Sequence, residues 1–233
     1  MAIAFFDLDK TLLSLNSGSL WVRRELKLGH ITRLQALRAA AWMIRYQMGF
    51  ASLDDALRRA IGLLHGISES AVRQRTLDFY EQEVRWLFRG DALKAVQRHR
   101  KEGARVVLLT ASSLYLSELV ARELRLDAIL CNRFEVDKEG LHTGRSLGGL
   151  CFGSGKLDHA RAYAREAGIS LNDCTFYTDS YSDLPVLLAV GQPVAVNPDR
   201  RLRREAFKRG WAVVRWGDAA PPVGEAALFQ GMP

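Results

Sequence analysis

The chain has 233 residues, of which 48% are apolar and 25% are charged. This length suits one large domain or a core domain with an insertion, and the apolar fraction excludes a disordered chain because it is ample for a packed interior. The formal net charge of +7 favours anionic partners. Phosphorylated metabolites, nucleic acid and a lipid surface all meet that description, and charge alone does not choose among them.

The three cysteines, Cys131, Cys151 and Cys174, are odd in number and widely spaced, without a CxxC pair. Neither a zinc site nor a disulfide framework is therefore expected. The start of the chain lacks the basic and then apolar pattern of a signal peptide, and no window reaches the roughly 18 apolar residues that cross a bilayer. We expect a cytoplasmic protein.

The first predicted element is the apolar run Ile3–Phe6, which is typical of a buried parallel strand. From about residue 17 to residue 89 the pattern is helical throughout, with apolar residues at three- and four-residue spacing and no visible strand. Ser52 and Ser68 precede acidic first turns, as helix N-caps do. The predicted helices are "SGSLWVRRELKLG", "TRLQALRAAAWMIRYQMG", "SLDDALRRAIGLL" and "SESAVRQRTLDFYEQEVRWLF".

After Gly90 the predicted helices and strands alternate. The helices are residues 92–101, 114–124, 156–167, "DLPVLLAV" and "DRRLRREAFKRG"; the strands are "ARVVLL", "AIL", "CTFY", "PVAV" and "WAVV". The segment "NRFEVDKEGLHTGR" indicates a β-hairpin. Alternation of this kind predicts an α/β fold with a Rossmann-like parallel sheet. The core domain would comprise residues 1–15 and 90–233, and an all-helical cap domain would be inserted at 16–89.

Polar residues follow several of the predicted strands: "DLDKT" after the first, Thr110-Ala111-Ser112 after the second and "TDSYSD" after "CTFY", with "GSGK" before a helix. In open parallel sheets the ligand crevice lies beyond the carboxyl ends of the strands. Carboxylates gathered there repel one another and have raised pKa values unless cations balance them. A Mg²⁺ ion and one lysine would provide that balance.

These residue types suit phosphoryl transfer. A strand-end carboxylate such as Asp7 can attack phosphorus and form an aspartyl phosphate, while Asp9 can give and take the proton. Mg²⁺ commonly takes one or two protein carboxylates, for which Asp7 and Asp179 are the candidates. Thr110, the backbone after it and Lys156 are candidate donors to the phosphoryl oxygens.

In this order "DLDKT", the Thr110 strand end, Lys156 and "DSYSDLP" resemble the four motifs of the haloacid dehalogenase superfamily. The helical insertion is similar to the cap of the subfamily that includes phosphoserine phosphatases, and similar bacterial proteins are assigned as histidinol-phosphate phosphatases. The resemblance implies that Asp7 is the nucleophile and Asp9 the acid/base. It implies that the phosphate-binding residues are Thr110, Ala111 and Lys156, and that the ligands of Mg²⁺ are Asp7, the Asp9 carbonyl and Asp179. The supporting residues would be Asp183, Thr11 and Ser180.

The sequence departs from phosphoserine phosphatases in two ways that concern the substrate. Asn16 stands where they typically place a glutamate for the substrate amino group, and Ala60, beside Arg58, stands where their cap carries an arginine. A site built for a zwitterion loses heavily without its charged partners, so phosphoserine is disfavoured. Asn16 and Arg58 are the candidate specificity residues. Thr178 also replaces the usual glycine before Asp179, which is expected to tighten that loop.

We therefore expect a phosphomonoesterase for a small phosphorylated metabolite, with histidinol phosphate as the leading named substrate, acting as a monomer or dimer without nucleic-acid or membrane partners. The alternatives are a phosphoserine phosphatase, a phosphotransferase, a lipid-phosphate phosphatase at a membrane surface, and a non-catalytic nucleic-acid binding module. In "PDRRLRREAFKRG", the apolar positions Leu202, Ala206 and Phe207 indicate an ordinary amphipathic helix with a solvated basic face.

Overall fold

The computed structural model describes residues 2–35, 37 and 53–218. The predicted helix "TRLQALRAAAWMIRYQMG" lies mostly outside these residues, and so does the predicted cap residue Ser52. The strands are β1 Ile3–Phe6, β2 Arg105–Ser113, β3 Ala128–Asn132, β4 Phe134–Val136, β5 His142–Ser146, β6 Cys174–Thr178, β7 Gln192–Val196 and β8 Ala212–Val214. The helices are α1 Ser17–Lys27, α2 Leu53–Gly62, α3 Glu69–Phe79, α4 Gly90–Lys101, α5 Leu114–Leu124, α6 Ser154–Glu166, α7 Leu184–Leu187 and α8 Arg200–Arg209.

A six-stranded sheet in the order β3-β2-β1-β6-β7-β8 forms the centre of the fold, and all its strand pairs are parallel. Side chains alternate between its faces, so Ala4 and Phe6 of β1 pack in one core while Ile3 and Phe5 pack in the other. Helices α4 and α5 contribute to the first core, and α6, α7 and α8 contribute to the second. The predicted Rossmann-like α/β fold is confirmed.

The insertion between β1 and β2 is helical over its described residues, where α1, α2 and α3 are found. Ser68 caps α3 as predicted, since its hydroxyl accepts a hydrogen bond from the Ala71 N–H at 3.3 Å. The predicted long helix after Ser68 is present as three consecutive helical segments, because α3 ends at Phe79 and is followed directly by a π-helical turn, Tyr80–Val84, and a 3-10 turn, Arg85–Leu87. These turns let Tyr80 and Val84 pack into the first core.

The two chain segments that join the insertion to the sheet run beside each other. The Ser14 N–H donates to the Leu87 carbonyl at 2.8 Å, and the Arg89 N–H donates to the Leu12 carbonyl at 2.9 Å. The predicted hairpin is also present as the antiparallel pair β4-β5. It contacts the insertion through the His142 N–H, which donates to the Ile67 carbonyl at 2.9 Å. The boundaries of the predicted cap at residues 16 and 89 stay predictions.

Helix α8 differs from its predicted burial at one position. Leu202 and Ala206 are fully buried, as expected, but Phe207 is 88% exposed. Successive helical residues are about 100° apart, so Phe207 lies well outside the buried stripe formed by the i, i+4 pair Leu202 and Ala206. The expectation that Phe207 packs inward is wrong.

Two further features of the fold concern the length of its helices and the state of its cysteines. Across residues 2–35, 37 and 53–218, no helix combines the length and apolar character that crossing a bilayer requires. Cys131, Cys151 and Cys174 are buried and form no disulfide with one another.

Candidate active site

The first strand delivers Asp7 to the carboxyl edge of the sheet. Its N–H donates to the Tyr177 carbonyl at 2.9 Å, which extends the pairing of β1 with β6 by one residue. The chain then coils so that the Leu13 N–H bonds to the Leu8 carbonyl at 2.9 Å. Lys10 adopts the left-handed conformation within this coil (φ 55°), which a non-glycine residue seldom does unless the surrounding structure holds it there.

This coil carries Asp9 to the first residues of α1. The Asp9 Oδ1 accepts a hydrogen bond from the Ser17 N–H at 2.7 Å, and Oδ2 lies 3.4 Å from the Asn16 Nδ2, which donates to it. Asn16 is also the N-cap of α1, because its Oδ1 accepts from the Ser19 N–H at 2.8 Å. The candidate proton-transfer residue is therefore held by the first residues of the insertion.

Lys156 joins the first and fourth motifs directly. Its Nζ donates to Asp7 Oδ1 and to Asp183 Oδ2, both at 2.8 Å. All three residues are nearly inaccessible, with exposures of 3% for Lys156, 6% for Asp7 and 1% for Asp183. Such an ion triad is stable only when its charges and hydrogen bonds are matched.

The start of α6 explains how Lys156 reaches this position. The helix begins at Ser154, two residues before the predicted start, so Lys156 lies within its first turn. Gly155 lies directly against the Leu150 carbonyl, and any side chain there would overlap with that carbonyl group. Gly155 of "GSGK" thus serves a close backbone approach.

Thr178 organises the loop that carries the fourth motif. Its Oγ1 donates to Asp183 Oδ2 at 2.6 Å and accepts from the Ser180 N–H at 3.2 Å. The Ser180 and Ser182 hydroxyls lie 2.8 Å apart and share a hydrogen bond. The residue that replaces the usual glycine therefore orients Asp183, and through Asp183 it orients Lys156.

Asp199 supports the same loop from the other side. Its N–H donates to the Asp179 carbonyl at 2.9 Å, and its Oδ2 accepts from the Tyr181 N–H at 2.8 Å. Its Oδ1 accepts from Arg201 N–H and Leu202 N–H at 2.8 Å, so it is also the N-cap of α8. Asp199 was not predicted as a site residue, although an aspartate at the start of a predicted helix is the usual signal for a cap.

The Thr110 segment is a bulge within β2 and not the strand end that was predicted. Strand β2 continues to Ser113, but its register with β3 shifts between Leu109 and Ser113. Within the bulge, Thr110 Oγ1 accepts from the Ser112 N–H at 3.1 Å. Bulges of this type commonly re-aim residues beside active sites.

Asn132, the last residue of β3, fixes this bulge and was not predicted as a site residue. Its Nδ2 donates to the Ala111 carbonyl at 2.6 Å, and its Oδ1 accepts from the Cys151 N–H at 2.8 Å. Asn132 therefore connects the Ala111 segment with the chain that leads into α6. Because it lies just beyond the predicted strand "AIL", the strand-end rule could have found it.

The electrostatics of the cluster indicate a deficit of positive charge. Burial raises the pKa of Asp7 to about 7, with Lys156 lowering it and Asp183 raising it further. Burial and the charge of Asp7 raise the pKa of Asp179 to about 8. Burial also raises the pKa of Asp9, although its hydrogen bonds with Ser17 oppose that rise.

The lysine itself remains a cation. Burial disfavours the charged form of Lys156, but the carboxylates of Asp183 and Asp7 outweigh burial and raise its pKa. One such ammonium group cannot balance the negative charge of four neighbouring carboxylates. A bound cation is favourable when negative charge is in excess in this way.

The remaining predicted residues are Thr11, Arg58 and Asn16. Thr11 is buried, and its Oγ1 has no hydrogen-bond partner within the described part of the chain. Arg58 is exposed on α2 and makes no polar contact with the acidic cluster among those same residues. Asn16, a candidate specificity residue, donates to Asp9, and its role toward the substrate stays a prediction.

The donor set fits Mg²⁺. Asp183 Oδ1 is buried and lacks a hydrogen-bond partner among the described residues, and the raised pKa values of Asp7 and Asp179 show unbalanced carboxylates. Over residues 2–35, 37 and 53–218 no group of three or more His, Cys, Asp or Glu side chains is arranged to hold a metal. A site of two carboxylates and one main-chain carbonyl contains fewer than three such side chains. It suits an ion that keeps several waters.

Comparison with known proteins shows which family and which relatives this chain resembles. The sequence profile described as haloacid dehalogenase-like hydrolase matches residues 4–188. The phosphoserine phosphatase SerB1 of Mycobacterium tuberculosis is 32% identical over 91% of this chain and 70% of its own length. The histidinol-phosphatase of Neisseria meningitidis is 27% identical over 92% of this chain and 98% of its own length.

A solved structure shows the same fold. A protein of unknown function from Bordetella pertussis superposes with a TM-score of 0.83 at 30% identity, covering 91% of this chain and 97% of that one. The two named relatives carry names for different substrates, so similarity alone does not select one.

Proposed function

Because this chain belongs to the haloacid dehalogenase-like hydrolase family, we propose that it is a Mg²⁺-dependent phosphomonoester hydrolase that works through an aspartyl phosphate on Asp7. The observation that carries the proposal is the buried contact of Lys156 Nζ with both Asp7 and Asp183 at the carboxyl edge of the sheet. A nucleophilic carboxylate beside a fixed ammonium donor is what attack on a phosphate ester requires.

In the first step a carboxylate oxygen of Asp7 forms a bond to phosphorus, and the bond from phosphorus to the alcohol oxygen breaks. Asp9 gives its proton to the leaving oxygen. Burial raises the pKa of Asp9, which favours the protonated form needed by a general acid. Lys156 and the Thr110-Ala111 bulge are the proposed donors to the non-bridging phosphoryl oxygens.

In the second step water attacks the phosphorus of the aspartyl phosphate, and Asp9, now ionised, accepts the proton of that water. The bond from phosphorus to the Asp7 oxygen breaks, so phosphate leaves and both carboxyl groups return to their initial states. Because Asp9 accepts a hydrogen bond from the Ser17 N–H at 2.7 Å, the start of the insertion fixes the acid/base relative to Asp7.

Asp7, Asp179 and the Asp9 carbonyl are the residues that would hold Mg²⁺. When bound, the ion would neutralise charge on the carboxylates and on the transferring phosphoryl oxygens. Asp183 would contribute indirectly, through Lys156 and through its unpartnered Oδ1.

For the substrate we favour a small phosphorylated metabolite other than phosphoserine. Ala60 stands where the cap of phosphoserine phosphatases carries an arginine, so that partner for the substrate carboxylate is missing, and histidinol phosphate has no such carboxylate. Histidinol phosphate is the leading named candidate, supported by the relative of that name. A cytoplasmic setting and a monomeric or dimeric state complete the proposal.

The test is phosphate release from a panel of phosphorylated metabolites with Mg²⁺, for wild type, Asp7→Asn and Asp9→Asn. We expect Asp7→Asn to lose more than about a thousandfold in rate, because the nucleophile is gone. Asp9→Asn should lose about a hundred- to ten-thousandfold, as general acid–base residues do.

The exposed Asp173 supplies the matched control, since Asp173→Asn removes a carboxylate outside the cluster. Equal phosphate release by Asp7→Asn and Asp173→Asn would reject the proposed nucleophile. Adding an acceptor alcohol and looking for its phosphate ester separates a hydrolase from a phosphotransferase that uses the same residues.

A further inference from the structure

Helix α8 carries an apolar ring in the middle of a basic surface. Phe207 is 88% exposed, and the exposed residues around it on the helix are Arg200, Arg203, Arg204 and Lys208. We propose that this basic face, defined by these five residues, docks the protein on an anionic phospholipid surface. The proposal goes beyond the proposed function and departs from the expectation that no membrane partner exists.

The spacing of these residues explains why they form one face. Residues three and four apart are neighbours on a helix, so Phe207 adjoins Arg203 and Arg204, while Arg204 adjoins Arg200 and Lys208. The buried stripe of α8 lies on the other side. The aromatic ring therefore lies at the centre of the solvent-facing side and not at the margin of the core.

The charges of the basic face are not used within the fold. Among the described residues, none of its four cations forms an ion pair, whereas the nearby Arg209 pairs with Glu205. Arg201 is engaged in a different way, with its guanidinium 4.5 Å from the centre of the Tyr181 ring. Four unpaired cations on one face attract an anionic partner and give binding that falls with salt.

The shape and composition of the face favour lipid over nucleic acid. Proteins that bind single strands offer a groove with several aromatic platforms, but Phe207 is one ring on a convex helix, and the Trp211 ring is covered by the Arg209 guanidinium at 5.5 Å. A helix lying in a membrane interface buries an apolar residue at the headgroup boundary while its basic residues meet lipid phosphates.

The basic face is also connected to the candidate active site. Asp199 caps α8 and bonds through its N–H to the Asp179 carbonyl at 2.9 Å. The residue that caps α8 is therefore hydrogen-bonded to the loop that carries a proposed metal ligand. Docking through α8 would hold that loop close to the lipid surface.

The test is vesicle flotation with the full chain. Wild type should float with vesicles of phosphatidylcholine mixed with phosphatidylserine and not with phosphatidylcholine alone, and high salt should release it. Each basic residue near an anionic surface changes partitioning by about fivefold, so Arg203→Glu with Arg204→Glu should reduce flotation by more than about twentyfold. Phe207→Ala should reduce it by less than the double reversal does.

The matched control is Arg122→Glu with Arg133→Glu, two exposed arginines near β3 at the opposite edge of the sheet. Failure of wild type to float with the anionic vesicles, or equal losses in the two double variants, would overturn the proposal. Tighter binding to an oligonucleotide than to the vesicles would overturn it as well. Flotation needs no catalysis, so its outcome is independent of whether phosphate is released.

Discussion

The carboxyl edge of the sheet and the solvent face of α8 are both rich in charge, but they differ in burial. At the sheet edge, Lys156 is fixed between Asp7 and Asp183 by two hydrogen bonds of 2.8 Å. On α8, the basic face has four cations that make no ion pair among the described residues. A buried charged group needs a partner in direct contact, so its interactions are specific. Exposed charged groups attract a partner from a distance, and salt screens that attraction.

The largest difference should come from removing one cation in each region. Lys156→Met leaves two buried carboxylates without their common partner, and breaking a buried pair costs about 3 to 5 kcal/mol. Arg204→Met, at an exposed position of α8, should change stability by no more than about 0.5 kcal/mol. Urea unfolding of the two variants under the same conditions measures both effects. Similar unfolding midpoints for the two variants would contradict the distinction between the regions.

A smaller effect is expected at Thr178, which tests whether single hydrogen bonds matter at the buried edge. Thr178→Val keeps the shape but removes a donor to Asp183 and an acceptor for the Ser180 N–H. Leaving such groups unsatisfied costs about 1 to 3 kcal/mol. Thr178→Ser keeps the hydroxyl and should stay close to wild type in unfolding free energy and in kcat/KM. If serine fails to rescue both measurements, the hydroxyl is not the cause.

The smallest effect concerns pH and Mg²⁺. The folded pKa values of Asp7 and Asp179, about 7 and about 8, exceed the ordinary aspartate value of 3.8. Between those values the native state binds more protons than the unfolded state, so the stability of the metal-free protein falls as pH rises through this window. Bound Mg²⁺ opposes the repulsion, and it should therefore raise the melting temperature more at about pH 8 than at about pH 5.

Thermal unfolding with MgCl₂ and with EDTA measures this difference. Asp179→Asn should abolish most of the Mg²⁺ dependence, and the exposed Asp173→Asn should retain it. A thermal shift that is equal at the two pH values would show that the raised carboxylate pKa values are not linked to the metal.

Much of the fold followed from local pattern. The alternation of helix and strand after Gly90 gave the parallel sheet, and helix α5 was predicted with its observed bounds, Leu114–Leu124. The errors have tertiary causes. Strand β2 runs past Leu109 because it pairs with β3 again at Ser113 after a shift of register, and Phe207 is exposed because the buried stripe of α8 is the single row of Leu202 and Ala206.

The motif positions could likewise be predicted from sequence, because strand ends, a glycine before a helix and an acidic run each have local signatures. The partners of the supporting residues could not. Asn132 and Asp199 have local signals, a strand end and a helix cap, but the hydrogen bonds by which they join separate loops depend on the tertiary structure.

The sequence by itself determined the order of strands and helices and which residues carry chemistry, since apolar periodicity and residue type are properties of short segments. Only the tertiary structure decided that Lys156 meets Asp7, 149 positions away, that Asn16 contacts Asp9, and that Phe207 faces solvent. Those outcomes depend on strand pairing and on how each helix rotates against the sheet, which many weak long-range contacts settle together.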